Sequence, residues 1–328
     1  MLTSDFDYHL PTDRIAQRSV EPKDHAKLLL VDREQETLTD HHVFDLPTLL
    51  RPGDLLVFND TKVFKARLHG TCQGKSFEIF LLKTEEDTWQ ALIRSSKKLT
   101  CGDDLDLPDG SHCTVMEKRN DGIVTLDFHR KTEDVFAYTD IYGQVPSPPY
   151  VDQVTALDQY QTIYAKQVGS VAAPTAGFHF TAELLEALTQ KGIQQAFVTL
   201  HVGIGTFRPM MSQTLEEHVM HEEWGHVPQE TWKRIQATKE SGGRVIAVGT
   251  TTVRALESGG TGATTLFITP GYQFKVIDGL LTNFHLPKST LLVLVSAFAG
   301  TSLIQRAYQH AIDHQYRFYS FGDAMLII

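Results

Sequence analysis

The 328-residue chain has few cysteines, no long hydrophobic run and a shortage of positive charge. Its cysteines, Cys72, Cys101 and Cys113, cannot all pair and lack the spacing of metal ligands, which indicates a reducing compartment and predicts a cytoplasmic protein. The N-terminus is polar and acidic, unlike a signal peptide. The apolar run 291–299 contains a serine and is too short to cross a bilayer, so we expect no membrane association.

The charge balance is acidic, with 40 acidic residues against 30 basic ones and a formal net charge of −10. This balance weakly disfavours nucleic acid as a partner, because contacts with phosphates need positive surfaces. Small basic clusters could supply such contacts locally, or they could be ordinary solvated surface. The clusters are Lys62, Lys65 and Arg67; Arg94, Lys97 and Lys98; and Arg130 and Lys131.

The order of the predicted elements indicates a multi-domain α/β fold interrupted by a small all-β domain. From Lys65 to about Phe128, short strand-like segments with tight turns and no helical period predict a β-barrel or sandwich. After the proline-rich segment 143–150, predicted helices and strands alternate, which favours an α/β layer structure. We therefore predict a discontinuous mixed-sheet α/β main domain, 1–64 and 151–328, and an inserted β-barrel domain with a proline-rich return linker, 65–150.

Several segments of the main domain have clear predicted states. Thr181 is expected to cap a helix that Gly192 ends. Further helices are predicted over 228–239, 253–258, 288–299 and 303–314, and strands over 196–200, 244–249, 264–268 and 324–328.

Two loops rich in glycine, threonine and histidine stand out: APTAGFHF at 173–180 and LHVGIGTFRP at 200–209. Small residues let the backbone approach a ligand closely, and Thr and His offer hydrogen-bonding groups without fixed charge. The second loop, FNDTK at 58–62 and GTTTVR at 249–254 each follow a predicted strand. Since ligands in open α/β sheets bind at the carboxyl ends of strands, we expect these loops to form one binding site on a common rim.

Phosphate-binding interpretations of these loops are weak or open. Gly203 and Gly205 resemble the start of a dinucleotide-binding fingerprint, but the third glycine is missing and Pro209 stands where the helix should begin. The segment TNFHLPKST at 282–290 precedes a predicted helix, and its hydroxyls would suit either an anion or a helix cap.

A metal site is an alternative interpretation of HVMHEEWGH. His218 and His221 are spaced to share a helical face, with Glu222 and His226 nearby. Such a site would indicate a metallohydrolase. A polar helix end followed by a loop is the favoured interpretation of the segment, because neither a cysteine ligand nor an HExxH motif is present.

Histidines and acids in these loops are candidates for acid–base chemistry. His179, His201 and His285 each neighbour Gly, Thr or Asn in loops that follow predicted strands, although any one of them could be a hydrogen-bonded core imidazole. Asp60 and Glu257 are carboxylates in similar positions, with a turn cap and a helix-end surface residue as the alternatives.

Together, LLVFNDTKVFKARLHG, GQVPSPPY, VAAPTAGFHFT, LHVGIGTFRP, VGTTTVRALES, TNFHLPKSTLLVLVSAFAG and YRFYSFGDAM closely resemble the S-adenosylmethionine:tRNA ribosyltransferase-isomerases of queuosine biosynthesis. The resemblance is weakest in the β-rich insert. It implies that the ribosyl part of S-adenosylmethionine moves to 7-aminomethyl-7-deazaguanine at the tRNA wobble position and rearranges to epoxyqueuosine, while adenine and methionine leave. S-adenosylmethionine would be a consumed co-substrate. No metal, other cofactor or stable protein partner is implied.

This resemblance and the chemistry of the reaction suggest roles for particular residues. A base must remove a ribose proton beside the sulfonium, adenine needs a hydrogen-bond donor as it leaves, and the attacking amine must be neutral. We expect His179, His201 and His285 to supply acid–base groups and Asp60 or Glu257 to act on the amine or the sulfonium. The expected substrate-binding residues are Thr175, Gly177, Phe178, Gly203, Gly205, Thr206, Thr250, Thr251, Arg254 and Asn283. The expected tRNA-binding residues are Lys62, Arg67, Arg208 and Lys288.

A few positions depart from the pattern usual in this family. Ser147 replaces a common leucine, Lys62 a frequent arginine and Lys65 a frequent proline, while Lys23 and Lys27 stand where arginines are usual. Lysine keeps the charge but loses the bidentate fork of arginine. The departures therefore concern contacts with the tRNA backbone rather than the reaction.

Overall fold

The computed structural model describes residues 1–119, 122–146, 150–151, 156–203 and 209–328. The strands in these ranges are β1 (Lys27–Asp32), β2 (Thr37–His42), β3 (Leu55–Asn59), β4 (Thr61–Val63), β5 (Arg67–Cys72), β6 (Lys75–Glu85), β7 (Thr88–Ile93), β8 (Asp104–Asp106), β9 (His112–Lys118), β10 (Ile123–Asp127), β11 (Gln167–Ser170), β12 (Gln194–Leu200), β13 (Glu223–His226), β14 (Val245–Val248), β15 (Gly262–Thr264), β16 (Gly279–Asn283) and β17 (Ala324–Ile327). The α-helices are α1 (Leu46–Leu49), α2 (Thr132–Tyr142), α3 (Ala182–Gln190), α4 (Gln229–Glu240), α5 (Thr250–Glu257), α6 (Thr290–Ala299) and α7 (Thr301–Asp313).

A nine-stranded mixed sheet forms the centre of the main domain, in the order β15-β13-β12-β3-β14-β16-β17-β1-β2. The neighbours β12, β3, β14 and β16 run parallel. Strand β3 is buried at every position, as expected for a parallel strand covered on both faces. Leu55 and Val57 pack into one core with helices α4 to α7, and Leu56 and Phe58 pack into another with α3. This confirms the mixed-sheet α/β prediction.

The inserted strands form a closed antiparallel barrel in the order β10-β7-β6-β5-β8-β9. Alternate residues of β5 and β10 point into a separate apolar core around Trp89, which confirms the barrel prediction. Helix α2 packs Val135 and Tyr138 on the same core, although no helix was predicted there. Its apolar residues do not follow one face, since Ile141 is 74% exposed. The domain limits drawn near residues 64 and 150 stay a prediction.

Most of the predicted elements of the main domain are confirmed. Thr181 caps α3 by accepting the N–H of Leu184 at 3.1 Å, and the helices α4, α6 and α7 lie where they were expected. The strand predicted over 264–268 is wrong, because β15 ends at Thr264. The carbonyl of Leu266 accepts a hydrogen bond from a side chain, that of Arg254, rather than from a neighbouring strand.

The helices contain one pair that resembles a membrane span in composition. Within the described residues, no single helix is long and apolar enough to cross a membrane. Helices α6 and α7 together have the length and composition, but they are bent by 115° at the break between them.

Candidate functional site

Asn59 ties together the loops that follow the parallel strands. It ends β3 and is fully buried. Its Nδ2 donates to the carbonyl of Leu200 at 3.0 Å and to Thr251 Oγ1 at 3.1 Å. Its Oδ1 accepts the N–H of Leu200 at 3.0 Å and that of Thr61 at 3.1 Å. One amide side chain thus joins the ends of β3 and β12 to the start of α5, and the predicted common rim is confirmed.

A pocket, here called the first pocket, opens on this rim. It encloses about 610 Å³ including its open mouth. None of the described residues that line it is Asp, Glu, Lys or Arg. They are Tyr150, Ala173, Pro174, Thr175, Ala176, Val202, Gly249, Thr250, Thr251, Thr282, Asn283, Phe284, His285, Leu286, Ser289, Leu291, Tyr319 and Ser320. The lining suits a polar ligand without fixed charge.

His285 lies in the wall of the first pocket, just after β16, and is 8% exposed. Its Nε2 is 3.1 Å from Thr282 Oγ1. Its backbone is held on both sides, because its N–H donates to Tyr308 Oη at 2.9 Å and its carbonyl accepts from Tyr8 Oη at 2.5 Å. Burial lowers the pKa of His285 to about 3. The imidazole is therefore neutral at pH 7 and available as a hydrogen-bonding group or weak base.

Asn283, in the wall of the first pocket, is hydrogen-bonded to His179, which lies behind that wall. Its Nδ2 donates to the carbonyls of Tyr319 at 2.9 Å and Ser320 at 3.3 Å, which leaves Oδ1 as an acceptor. His179 Nε2 lies 3.0 Å from that oxygen and so carries the hydrogen. Burial lowers the pKa of His179, although the bond to Asn283 opposes the shift. His179 does not line the first pocket. Its hydrogen bond to Asn283 helps to fix the position of that side chain in the pocket wall.

His201 is held outside the first pocket. Its Nδ1 is 2.8 Å from Thr61 Oγ1, and its ring stacks on Trp224 with 5.5 Å between ring centroids. The ring packs closely on Gly169, where an added Cβ would lie 2.7 Å from it. Burial lowers the pKa of His201 to about 4, so this imidazole is also neutral. Its surroundings indicate tight packing.

The two predicted carboxylates lie away from the first pocket as well. Asp60 accepts a hydrogen bond from Thr199 Oγ1 at 2.6 Å, and burial raises the pKa of Asp60 despite this bond. Glu257 accepts the backbone N–H groups of 275–277 at 2.9–3.2 Å, and Tyr272 Oη lies 3.3 Å from it. The structure therefore uses Glu257 to hold a loop in place and does not bring it to the pocket.

The predicted substrate-binding residues divide between the pocket wall and the packing behind it. Thr175, Thr250, Thr251 and Asn283 line the first pocket. Gly177 and Phe178 do not. An added Cβ at Gly177 would lie 2.0 Å from the hydroxyl of Tyr164, and Phe178 stacks in an aromatic cluster. Gly205 and Thr206 lie outside the described residues.

A second pocket adjoins the first and contains a buried ion pair. It is lined by Pro209, Met211, Ser212, Glu217, His218, Val219, Met220, His221, Glu223, Arg254, Thr290 and Leu291, and it encloses about 900 Å³ including its mouth. Arg254 donates from Nη1 to Glu223 Oε2, and Gly203 donates its N–H to Glu223 Oε1 at 3.0 Å. Two of the predicted binding residues, Gly203 and Arg254, thus meet at Glu223, which was not predicted.

The described residues that were predicted to bind tRNA each have different surroundings. Lys62 is exposed on β4. Arg67 lies 3.8 Å from Glu78 on the barrel, and Lys288 Nζ lies 2.7 Å from Asp7. Arg208 and the departing residue Ser147 fall in parts of the chain that the structure does not describe.

Tyr150, Tyr319 and Ser320 are among the residues of the first pocket that were not predicted as site residues. Tyr150 Oη lies 2.6 Å from Ser320 Oγ, which links distant parts of the chain. Tyr319 has a φ of +73°, unusual for a residue other than glycine. The feature of the sequence that could have indicated this turn is Gly322, because an added Cβ there would lie 2.4 Å from the carbonyl oxygen of Arg317. Only glycine permits so tight a turn before β17.

The helical spacing on which the metal interpretation of 218–226 rested is absent from this segment of the structure. His218 and His221 are not in a helix, and His226 is paired with Thr261 Oγ1 at 2.8 Å. Among the residues described, the group with metal-ligand spacing is Asp40, His310 and His314, at the other edge of the sheet. The predicted helical face was wrong because residues 218–222, which lead into β13, form no helix.

Fold and site together define a class: an α/β protein with an inserted β-barrel and, at its strand ends, a pocket lined by neutral polar groups. Comparison with known proteins then narrows this class. The chain belongs to the queuosine biosynthesis protein family, whose family model matches residues 3–327.

Curated relatives match over nearly the whole chain. An S-adenosylmethionine:tRNA ribosyltransferase-isomerase of Thermosynechococcus vestitus is 48% identical over 98% of this chain and 95% of its own length. One from Thermotoga maritima is 46% identical, with 100% of both chains covered. A crystal structure of S-adenosylmethionine tRNA ribosyltransferase from Thermotoga maritima aligns with a TM-score of 0.59 and 37% identity, covering 99% of this chain and 100% of that one.

Proposed function

We propose that the chain is an S-adenosylmethionine:tRNA ribosyltransferase-isomerase. It transfers the ribosyl group of S-adenosylmethionine to 7-aminomethyl-7-deazaguanine at the tRNA wobble position, forms epoxyqueuosine, and releases adenine and methionine. The family and the full-length similarity to curated relatives support this activity. S-adenosylmethionine is a consumed co-substrate, no metal or other cofactor takes part, no stable protein partner is needed, and the compartment is the cytoplasm.

The neutral lining of the first pocket is the observation that carries the proposal. The adenosyl half of S-adenosylmethionine has hydroxyls and ring nitrogens but no charge except at sulfur. Thr250, Thr251 and Asn283 offer hydrogen bonds to such groups, and no described lining side chain carries a fixed charge. The pocket also lies where open α/β sheets bind ligands.

His285 is the candidate acid–base residue, because it lines the first pocket and the other two predicted histidines do not. Its neutral imidazole can donate a hydrogen bond to departing adenine, and it is only a weak base for the ribose proton that the sulfonium acidifies. With a pKa of about 3 it does not act as an imidazolium acid at neutral pH. His179 acts as a positioning residue through Asn283. The acid–base roles expected of His201, Asp60 and Glu257 have no support from the pocket lining.

The tRNA is proposed to approach the mouth of the first pocket with Lys62, Arg67, Arg208 and Lys288 in contact with its backbone. Arg67 and Lys288 would then pair with tRNA phosphates in place of their present carboxylate partners, Glu78 and Asp7. Each such contact should add to the salt dependence of tRNA binding.

The test follows both halves of S-adenosylmethionine. Purified protein is incubated with tRNA carrying 7-aminomethyl-7-deazaguanine and with S-adenosylmethionine labelled either in the ribose or in the methyl group. We expect ribose label in the tRNA and one adenine and one methionine released per transfer. tRNA with guanine at the wobble position serves as the control substrate. Methyl label in the tRNA, with S-adenosylhomocysteine as product, would refute the proposal.

A further inference from the structure

The second pocket shares a wall with the first. Leu291, at the start of α6, lines both pockets. Thr250 and Thr251 begin α5 at the first pocket, and Arg254 lies on the next turn at the second. The two pockets therefore lie side by side, on either side of Leu291.

The ion pair in the second pocket has an unused donor. Arg254 and Glu223 are each 5% exposed. Arg254 donates from Nε to the carbonyl of Leu266 at 3.1 Å and from Nη1 to Glu223, but its buried Nη2 has no hydrogen-bond partner. Buried polar groups are nearly always paired, so an orphaned guanidinium nitrogen beside a cavity indicates a missing acceptor.

A partly buried ion pair in the same sheet shows what a purely structural pair looks like. At the amino end of β14, Arg244 donates from Nε and Nη2 to the two oxygens of Asp54, at 3.1 and 2.6 Å. The N–H groups of Arg51 and Arg244 also donate to Asp54. No polar atom of this second pair is orphaned among the buried atoms of the described residues. The pair of Arg254 and Glu223 differs by its free donor and its cavity.

We infer that the second pocket binds the amino-acid half of S-adenosylmethionine, an inference that rests on the proposed function. The α-carboxylate accepts a hydrogen bond from Arg254 Nη2, and the α-ammonium lies beside the Glu223 carboxylate. The uncharged nucleoside occupies the first pocket, and the sulfonium lies between the two. A zwitterion thus meets a cation and an anion, each matched to the opposite charge.

The first test changes the substrate and leaves the protein intact. Adenine release by the wild-type protein is measured with S-adenosylmethionine and with its decarboxylated analogue, which lacks the α-carboxylate. We expect the KM for the analogue to be about 10- to 100-fold higher, because one charge-assisted hydrogen bond is lost, with a smaller change in kcat. Equal kcat/KM values for the two substrates would overturn the inference and leave the proposed function standing. A lack of adenine release from S-adenosylmethionine itself would instead count against the proposed function.

The second test asks whether Arg254 causes the discrimination. Arg254→Gln should raise the KM for S-adenosylmethionine about as much as decarboxylation does, and it should treat both substrates alike, which is the signature of a direct contact. Arg244→Gln is the matched control, since it breaks the structural pair and should keep the wild-type preference. A folded Arg254→Gln variant that still prefers the carboxylate would overturn the inference. If that variant does not fold, the double variant Arg254→Gln/Glu223→Gln, which leaves no unpaired charge, replaces it.

Discussion

The two ends of the central parallel strands both contain buried polar side chains, but they use them differently. At the amino end, Asp54 is charged, and both of its carboxylate oxygens accept hydrogen bonds from Arg244. At the carboxyl end, Asn59, Thr251 and Asn283 are neutral, and the first pocket lies open beside them. Charge therefore serves stability where every carboxylate oxygen has a partner, whereas neutral groups form the wall where a ligand must fit.

The acid–base properties of the two ends differ in the same way. Burial would raise the pKa of Asp54, but hydrogen bonds from Arg244 and from the backbone hold it below its usual value, so the carboxylate stays charged. At the other end, burial alone lowers the pKa of His285 to about 3 and keeps the imidazole neutral. The amino end of the parallel strands therefore contains a charged carboxylate, and the carboxyl end contains a neutral imidazole.

Removing the charge partner at the amino end should give the largest effect. Arg244→Ala leaves the Asp54 carboxylate, which is 1% exposed, without its main partner. We expect a loss of about 3–5 kcal/mol in the free energy of unfolding, measured by urea denaturation. Adenine release per folded molecule at low temperature should stay near wild type. A large loss of kcat in the folded variant would contradict the division between the two ends.

Replacing the pocket histidine should affect the reaction and much less the fold. His285→Ala is expected to slow adenine release about 100- to 1,000-fold, because it removes an acid–base group from the pocket wall. His179→Ala should cost less, since it acts through Asn283, and His201→Ala least. His9→Ala, an exposed histidine, is the control. Near-normal turnover in all three pocket-region variants would remove histidine from the acid–base mechanism.

Stability should fall as the pH is lowered from 6.5 towards 4. The unfolded chain binds protons on histidine below a pKa of about 6.5, whereas the folded pKa of His285 is about 3 and that of His201 about 4. Protonation therefore favours the unfolded state in this window, by up to about 1.4 kcal/mol per pH unit for each histidine. Urea denaturation of the wild type and of His285→Gln across this range measures the slope. An unchanged slope in the variant would contradict the assignment to His285.

Substituting one glycine in each of the two loops should distinguish a packing role from a ligand-binding role. Gly177→Ala should lower stability by about 1–3 kcal/mol, because its Cβ would lie 2.0 Å from the hydroxyl of Tyr164. At Gly203 the nearest atom to an added Cβ is 3.9 Å away, so Gly203→Ala should leave the melting temperature nearly unchanged. A rise in KM for S-adenosylmethionine in Gly203→Ala would show that this position approaches the ligand. Equal loss of stability in both variants would refute the distinction.

The smallest expected effect is that of metal removal. Dialysis against a chelator should leave adenine release unchanged, because the proposed chemistry uses side chains and the sulfonium of the substrate. Zinc is then added back to the dialysed protein as the control. Activity that disappears on dialysis and returns with zinc would revive the metallohydrolase alternative.

The rim could be predicted from local patterns, but the contacts of individual side chains could not. Thr250 and Thr251 were expected at the pocket because they follow a strand recognisable in the sequence, and Asn283 because it lies in the motif TNFHLPKST. Glu257 also looked like a site residue. Its carboxylate instead accepts hydrogen bonds from the backbone N–H groups of 275–277. The position of that loop could not be predicted from the sequence around Glu257.

Residues brought in from far along the chain were the hardest to predict. Tyr319 and Ser320 reach the first pocket because β17 pairs antiparallel with β16, and Glu223 reaches Arg254 because β13 pairs with β12. Pairing between strands depends on the whole sheet, so no window of sequence contains it. The helix α2 was missed for a related reason, since its burial depends on the barrel beneath it.

The sequence was enough to predict the alternation of strands and helices, the β-rich insert and the family, because these depend on local periodicity and on long motifs. It also placed small and neutral residues in the loops at the strand ends. Only the tertiary structure decided that His285 faces the pocket while His179, His201 and Glu257 do not. Burial, pairing and pKa are properties of the surroundings, and the surroundings form only when distant segments pack together.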